Sequence, residues 1–313
     1  MILITGGTGF IGKVLVRHLI EHDHQVRILI RPSQHSPNLP RGVPIEVAVS
    51  SIGDERSLRA AMVGVDIVYH LAGAEWRGAR GSLMDIDIQG TQTVIRAAVD
   101  AGVRRLFYIS HLGADRASAF PLLKAKAIAE EYIRRSGLDY TILRSALVFG
   151  PNDHFTTGLA RLLYALPFFF LIPSDGQTLL QPLWVEDLVT CLVWALEDDQ
   201  TRNQTYSVGG PEFLTFNQIL AMVMEAAHVQ RRIVHVSPPY LRGLTVILET
   251  ILPALPTSVY WLDYLAVNRT CPLDPVPRTF NLLPSRFSHR LDYLQNQNWR
   301  ISLLRSILHR QPR

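Results

Sequence analysis

Thr5-Gly6-Gly7-Thr8-Gly9-Phe10-Ile11-Gly12 is the stretch on which the fold turns. Ile2-Leu3-Ile4 before it is a short apolar run, and Ile11–Glu21 after it carries helical spacing. Gly7, Gly9 and Gly12 match G-x-G-x-x-G, and Gly6, Gly9 and Gly12 match G-x-x-G-x-x-G. Between a strand and a helix, such glycines allow a tight turn, a close backbone approach to a pyrophosphate, and packing of the helix on the sheet. The free N–H groups of the first helical turn then face the anion. The motif therefore assigns Gly6, Gly7, Thr8, Gly9, Phe10, Ile11 and Gly12 to dinucleotide binding.

Downstream of the loop, strand-like and helix-like segments alternate. Gln25–Ile30, Ile45–Val49, Asp66–Ala72, Arg105–Ser110 and Asp139–Arg144 read as strands. Helical patterns lie at Ser57–Met62, Leu83–Ala101 and Pro121–Ser136. This rhythm predicts βαβ units and a parallel sheet, an α/β Rossmann fold of the doubly wound type. After Gly150 prolines become dense and helices dominate (Val185–Leu196, Phe216–Ala227), with strand-like pieces at Thr178–Leu183, Thr205–Val208 and Ile233–Val236. The expected organisation is a dinucleotide-binding domain over 1–150 and a smaller α/β lobe over 151–313, partly interleaved with it.

The second strand ends in Arg31, where an NAD-binding chain carries an acidic residue for the ribose 2′-hydroxyl. A guanidinium suits a 2′-phosphate, and Ser33 adds a hydroxyl. NADP(H) is expected over NAD(H).

Composition bounds the rest. The 313 residues are 48% hydrophobic and 19% charged, which excludes a disordered chain. Two cysteines, Cys191 and Cys271, exclude a disulfide scaffold and a four-cysteine zinc site; a reduced interior is expected. Net charge is +4, with only three lysines and no basic stripe, so no nucleic-acid partner is expected. No metal site is expected either: His18, His22 and His24 cluster without a completing ligand pattern. Mean hydropathy of +0.13 directs attention to membrane contact. Gly243–Ala266 is the most apolar stretch, but Glu249, Asp263, Pro253 and Pro256 interrupt it, and surface-docking or buried helices are expected rather than a span. Leu162–Pro173, with Phe168-Phe169-Phe170, fits core, the wall of an apolar pocket, or a lipid or partner contact. Asp153-His154 reads as exposed loop polarity. Met1 runs directly into the first strand without a leader-like segment, and a cytoplasmic location is expected, free or peripheral to the inner face of a membrane.

These residues resemble the extended short-chain dehydrogenase/reductase family, in its NAD(P)-dependent epimerase/dehydratase branch. Besides TGGTGFIG, the resemblance rests on Gly53-Asp54, His70-Leu71-Ala72-Gly73, Gly90-Thr91, Arg144 with Phe149-Gly150-Pro151, Trp184-Val185-Glu186-Asp187 and Val208-Gly209-Gly210. It implies that Asp54 and Ile52 flank the adenine and that Leu71, Ala72 and Gly73 line the middle of the cofactor. Ser110-His111-Leu112-Gly113-Ala114-Asp115, the segment Leu122–Arg144 and the segment Phe280–Leu294 resemble the atypical subgroup that includes the NADPH-binding accessory subunit of complex I and its bacterial relatives.

The active family uses Tyr-x-x-x-Lys, whose spacing places phenol and ammonium on one helix face. Lys126 fits the lysine and implies a grip on the nicotinamide ribose. The tyrosine slot is then Leu122, which has no proton to give; a register on Lys124 puts Phe120 there instead. Ser110 fits a serine partner, His111 stands where a second hydroxyl is common and has the pKa range of a substitute acid, and Asp87 replaces an asparagine. The candidate catalytic residues are Lys126, Ser110 and His111. Two functions follow. One is an NADP(H)-binding protein of impaired or absent turnover with a structural or assembly role, for which a membrane-associated protein complex is the candidate partner. The other is an active NADPH-dependent reductase, or an epimerase or isomerase, acting on a small or apolar carbonyl substrate.

Overall fold

In the computed structural model, which describes residues 1–33, 44–75, 81–251, 258–295 and 297–308, the glycine loop joins β1 (Ile2–Thr5) to α1 (Phe10–Glu21). The chain continues through β2 (Val26–Ile30), β3 (Ile45–Val49), α2 (Glu55–Ala61) and β4 (Ile67–His70). Next come a π-helical segment (Met84–Gly90), α3 (Thr91–Asp100), β5 (Arg105–His111), α4 (Pro121–Arg134) and β6 (Asp139–Ser145). Beyond it lie β7 (Val148–Phe149), α5 (Thr156–Ala165), β8 (Phe169–Pro173), β9 (Leu179–Leu180), β10 (Leu183–Trp184), α6 (Val185–Glu197) and β11 (Gln204–Val208). The chain then runs through β12 (Leu214–Thr215), α7 (Phe216–Ala226), β13 (Arg232–Val236), α8 (Pro238–Ile251), α9 (Val259–Tyr264), α10 (Pro275–Phe280) and α11 (Trp299–Leu308).

Seven strands form one sheet in the order β3-β2-β1-β4-β5-β6-β11, and every neighbouring pair is parallel. Strand order reverses between β1 and β4, which opens a crevice at their carboxyl ends. Helices cover both faces, so Leu3, Ile4, Val68, Leu106 and Phe107 are completely buried without alternation. Gly12, Leu15, Val16 and Leu19 give α1 its buried stripe at helical spacing. The seventh strand, β11, comes from the second half of the chain: Gln204 pairs with Thr141 and Val208 with Ser145.

Three expectations are corrected here. The single helix read over Leu83–Ala101 is a π-helical turn followed by α3, and the widened turn sets Asp87 fully inside. The strand read over Thr178–Leu183 is two dipeptide strands: β9 pairs antiparallel with β12, and β10 pairs parallel with β7. Pro182 separates them, having no N–H to continue a ladder. Asp153 is not exposed loop polarity. It is buried, and its carboxylate accepts from Thr156 N–H at 3.0 Å and Thr157 N–H at 2.7 Å, satisfying the first turn of α5. His154 beside it is exposed.

The apolar run around Phe168 divides: Phe170 and Ile172 are core, while Phe168 and Phe169 are exposed. Cys191 and Cys271 are both free and buried. Among the described residues no helix is long and apolar enough to cross a membrane, and no three metal-ligating side chains converge.

Candidate functional site

The loop after β1 has the backbone its glycines imply. Gly6 has φ of +75°, and a Cβ there would stand 2.9 Å from the Ala72 amide nitrogen. Gly12 is tighter still: a Cβ would reach 2.2 Å from the Gly6 carbonyl oxygen, so only glycine lets α1 pack on the turn. A Cβ on Gly7 would come 2.7 Å from Ile28 Cγ2. Gly9 differs. It is exposed, its N–H donates to Gly6 O at 2.9 Å, and a Cβ would meet only that oxygen, at 3.1 Å. Gly9 is also the N-cap of α1 and brings no side chain to the orphan N–H groups of the first turn. An open, uncapped helix end over a glycine cradle is the surface a pyrophosphate requires. Thr8 flanks it, half-buried; the Phe10 ring lies against Gly150, and Ile11 packs into the core.

The residues expected at the adenosine end follow β2 and β3. Arg31 and Ser33, just past β2, are exposed, and Arg31 makes no ion pair with any described residue. Ile52 packs under Gly90, where a Cβ would meet Ile52 Cδ1 at 2.7 Å. Asp54 is the N-cap of α2 and accepts from Ser57 N–H at 3.2 Å. Leu71, Ala72 and Gly73 follow β4 and close the crevice from the other side.

His70 connects the two sides. Its Nδ1 lies 2.7 Å from Thr5 Oγ1 and its Nε2 lies 2.9 Å from Thr91 Oγ1. Thr91 donates its own proton to Asp87 O at 2.6 Å, so it accepts from an Nε2–H, and Thr5 donates to Nδ1 while accepting from Ala72 N–H at 3.3 Å. The bonding assigns a neutral imidazole protonated at Nε2. Burial, reinforced by nearby Lys126, holds its pKa down at about 3.

Lys126 faces inward from α4 while Lys124 is exposed, which fixes the register. The Lys126 ammonium lies 3.1 Å from Asp87 Oδ1 and 5.3 Å from the centre of the Tyr108 ring. Burial opposes its charge, but Tyr108, Asp87 and Glu75 outweigh burial and raise its pKa. The second Asp87 oxygen accepts from Ala74 N–H at 2.9 Å. A Cβ on Gly73 would be 3.2 Å from Asp87 Oδ1 and 3.4 Å from Lys126 Nζ, so Gly73, Asp87 and Lys126 meet at one point. Leu122 is buried one helical turn before Lys126, on the same face.

Ser110 and His111 are not brought together. Neighbouring residues of a strand point to opposite faces. Ser110 is completely buried under α4 beside Glu130, whose carboxyl is held low against burial by Arg144, Ser110 and Arg134. His111 points the other way and hydrogen-bonds Glu75 through Nε2. Burial alone would raise the Glu75 carboxyl; His111, Lys126 and His154 outweigh it and hold the pKa at about 2. Tyr264 packs edge-on against His111 with ring centres 6.1 Å apart, and the Arg269 guanidinium lies 4.9 Å from the Tyr264 ring centre. Glu75, Tyr264 and Arg269 are absent from the expected set. The one signal in sequence was a buried-type setting for charge: Asp263 and Arg269 stand within or beside an apolar stretch, where ions are normally paired.

Comparisons with known proteins agree with this geometry. An NAD(P)H-binding family model matches residues 6–160, and the NAD dependent epimerase/dehydratase family model matches residues 123–209. Over residues 6–209 the chain is similar to the NAD(P)-binding epimerase/dehydratase family. It is also similar to the mitochondrial NADH dehydrogenase (ubiquinone) 1 alpha subcomplex subunit 9 of Arabidopsis thaliana, with 28% identity over 89% of this chain and 67% of that one. The mouse counterpart is 28% identical over 69% of this chain and 58% of its own length, so the chain spans well under the full length of these relatives. Sterol demethylase protein B of Methylococcus capsulatus is 29% identical over 78% of this chain and 80% of its own length. Among solved folds, a Thermus thermophilus UDP-glucose 4-epimerase complex with NAD superposes with a TM-score of 0.71 at 20% identity, over 96% of this chain and 98% of that one.

Proposed function

We propose that this chain is an NADP(H)-binding, dehydrogenase-like protein whose turnover is impaired and whose role is structural, in the assembly of a membrane-associated complex. The observation that carries the reading is Leu122. An apolar side chain is buried where the active family places its phenol, beside a lysine already engaged by Asp87. The similarity to the 1 alpha subcomplex subunit 9 supports the assembly role. It also supports association with a membrane complex; a location at the inner face of a membrane, reached from the cytoplasmic side, is part of the same proposal.

The residues fit the cofactor. The cradle Gly6–Gly12 receives the pyrophosphate, Arg31 with Ser33 the 2′-phosphate, Ile52 and Asp54 the adenine, Leu71, Ala72 and Gly73 the middle, and Lys126 the nicotinamide ribose. The bound nicotinamide would supply hydride chemistry; the chain's own part is to bind and orient it. Residues 1–150 form the dinucleotide-binding unit in this reading and 151–313 the partner lobe.

Calorimetry at fixed salt tests it. NADPH should bind more tightly than NADH, Arg31→Asp should shrink the ratio, and NADPH held by the protein should resist oxidation by small carbonyl compounds. Turnover in the ordinary range of about 1–10³ s⁻¹ on any carbonyl substrate would overturn the impaired-catalyst reading.

The hydrogen bond between Glu75 and His111 favours a second reading, an active NADPH-dependent reductase or epimerase in which Glu75 orients His111 as the acid. His111→Ala would then depress turnover.

A further inference from the structure

Helix α8 has its faces reversed. Its inward positions are Leu241, Thr245 and Glu249, all buried. Thr245 donates to Leu241 O at 2.8 Å, and Glu249 accepts from Val259 N–H at 2.6 Å. Its outward positions include Tyr240, 79% exposed, Leu244 at 40%, Ile247 at 54% and Ile251 at 67%. At 100° per residue these four fall within an arc of about 60°. A surface helix normally turns its polar stripe to water. This one turns a hydroxyl and a carboxylate inward and an aromatic–aliphatic stripe outward.

The adjoining strand also exposes apolar side chains. α8 packs against β8, and Phe168 and Phe169 at the start of β8 are 75% and 53% exposed. Apolar exposure on this scale marks an interaction site.

Charge indicates the occupant. From His228 to Leu248 every charged side chain is basic: Arg231, Arg232 and Arg242. Arg232 is exposed, makes no ion pair with any described residue, and its N–H donates to Phe168 O at 3.3 Å, which sets it beside the exposed phenylalanines. Arg242 is paired with Asp263, and Arg231 donates to the carbonyl oxygens of Leu163, Leu166 and Gln230, so Arg232 is the basic group of this segment that faces solvent unengaged. A short helix with an apolar stripe, an aromatic residue at its start and basic neighbours suits the boundary between headgroups and acyl chains. No described helix is long and apolar enough to cross a bilayer.

We propose that α8 and the start of β8 dock this protein on an anionic lipid surface, with Tyr240, Leu244, Ile247 and Ile251 entering the acyl boundary and Arg232 meeting lipid phosphates. The inference gives a surface to the membrane part of the reading above and is independent of its dinucleotide part.

Flotation of the full chain with phosphatidylcholine–phosphatidylglycerol vesicles, against phosphatidylcholine alone, tests it. The protein should float with the mixed vesicles and detach as salt rises. Ile247→Glu should weaken binding by about tenfold or more, and Arg232→Gln by about fivefold. Tyr240→Glu, at the most exposed position of the stripe, is a second variant least able to disturb the fold. NADPH binding by each variant, equal to that of the unmutated chain, reports that the fold is intact. The proposal is overturned if the unmutated chain floats with neither vesicle, if the folded stripe variants bind like it, or if the stripe instead mediates self-association or a protein contact. Flotation without NADPH binding would remove the cofactor reading alone; NADPH binding without flotation would remove the docking surface alone.

Discussion

Replacing His70 with asparagine should flatten the acid side of the stability curve. His70 is completely buried with both ring nitrogens engaged, and its pKa of about 3 compares with 6.5 for an ordinary imidazole. Between those values the unfolded chain binds a proton that the folded chain does not, so stability rises with pH across the window. The contribution is complete above pH 6.5 and is lost as the pH falls toward 3. Each pH unit inside the window corresponds to about 1.4 kcal/mol. Going from about pH 7.5 to about pH 5 therefore removes about 2 kcal/mol through His70 alone, before most carboxylates of the unfolded chain take up protons. His70→Asn loses the bond at one ring position and should be less stable at neutral pH by about 1–3 kcal/mol. Urea unfolding of both proteins across this interval, without cofactor, should give the variant a profile flatter by about 2 kcal/mol. Other histidines cancel in the difference. Parallel profiles would refute the reasoning, because His70 would then take up its proton inside the fold and the Thr5–His70–Thr91 chain would be wrongly assigned.

Other outcomes follow from the same site. Gly9→Val should abolish NADPH binding while leaving the thermal midpoint nearly unchanged, whereas Gly12→Ala should lose the fold, because its Cβ would stand 2.2 Å from Gly6 O; calorimetry and circular dichroism separate the two. Asp87→Asn should destabilise the chain by about 3–5 kcal/mol in chemical denaturation by stranding the Lys126 ammonium, and adding Lys126→Met should recover part of that. Leu122→Tyr should raise turnover on simple ketones, toward the about 10²–10⁴-fold range of general acid catalysis, with His111→Ala nearly silent; the reverse pattern would support the Glu75–His111 reading.

The sheet was legible because its signals are local. A strand, a glycine turn and a helix within the first 21 residues carry their own periodicity, and the same pattern repeats to β6. The inward placement of Lys126 was legible too, since the chain has three lysines and helical spacing sets Lys126, not Lys124, on the buried face of α4. The partner of Lys126 was harder to read: Asp87 faces inward because the π-helical turn adds a residue per turn, and spacing at 3.6 residues does not report that. Glu75, His111 and Tyr264 meet across 189 positions of sequence, through tertiary packing that no local pattern encodes. Asp153 was a missed local signal. An aspartate three and four residues before Thr156 and Thr157 N–H groups is a helix start, and the adjoining histidine drew the reading toward polarity.

The seventh strand has a consequence for how the protein is made. β11 closes the open edge of β6, yet its last residue, Val208, lies 63 positions after Ser145, with which it pairs. A ribosome that has delivered every residue of the glycine loop and of Lys126 still leaves β6 with a bare row of N–H and C=O groups. A fragment ending at Gly150 would carry that bare edge permanently and should associate edge to edge with its own copies. The half of the chain that holds the nucleotide cradle therefore takes the last strand of its sheet from the half that does not.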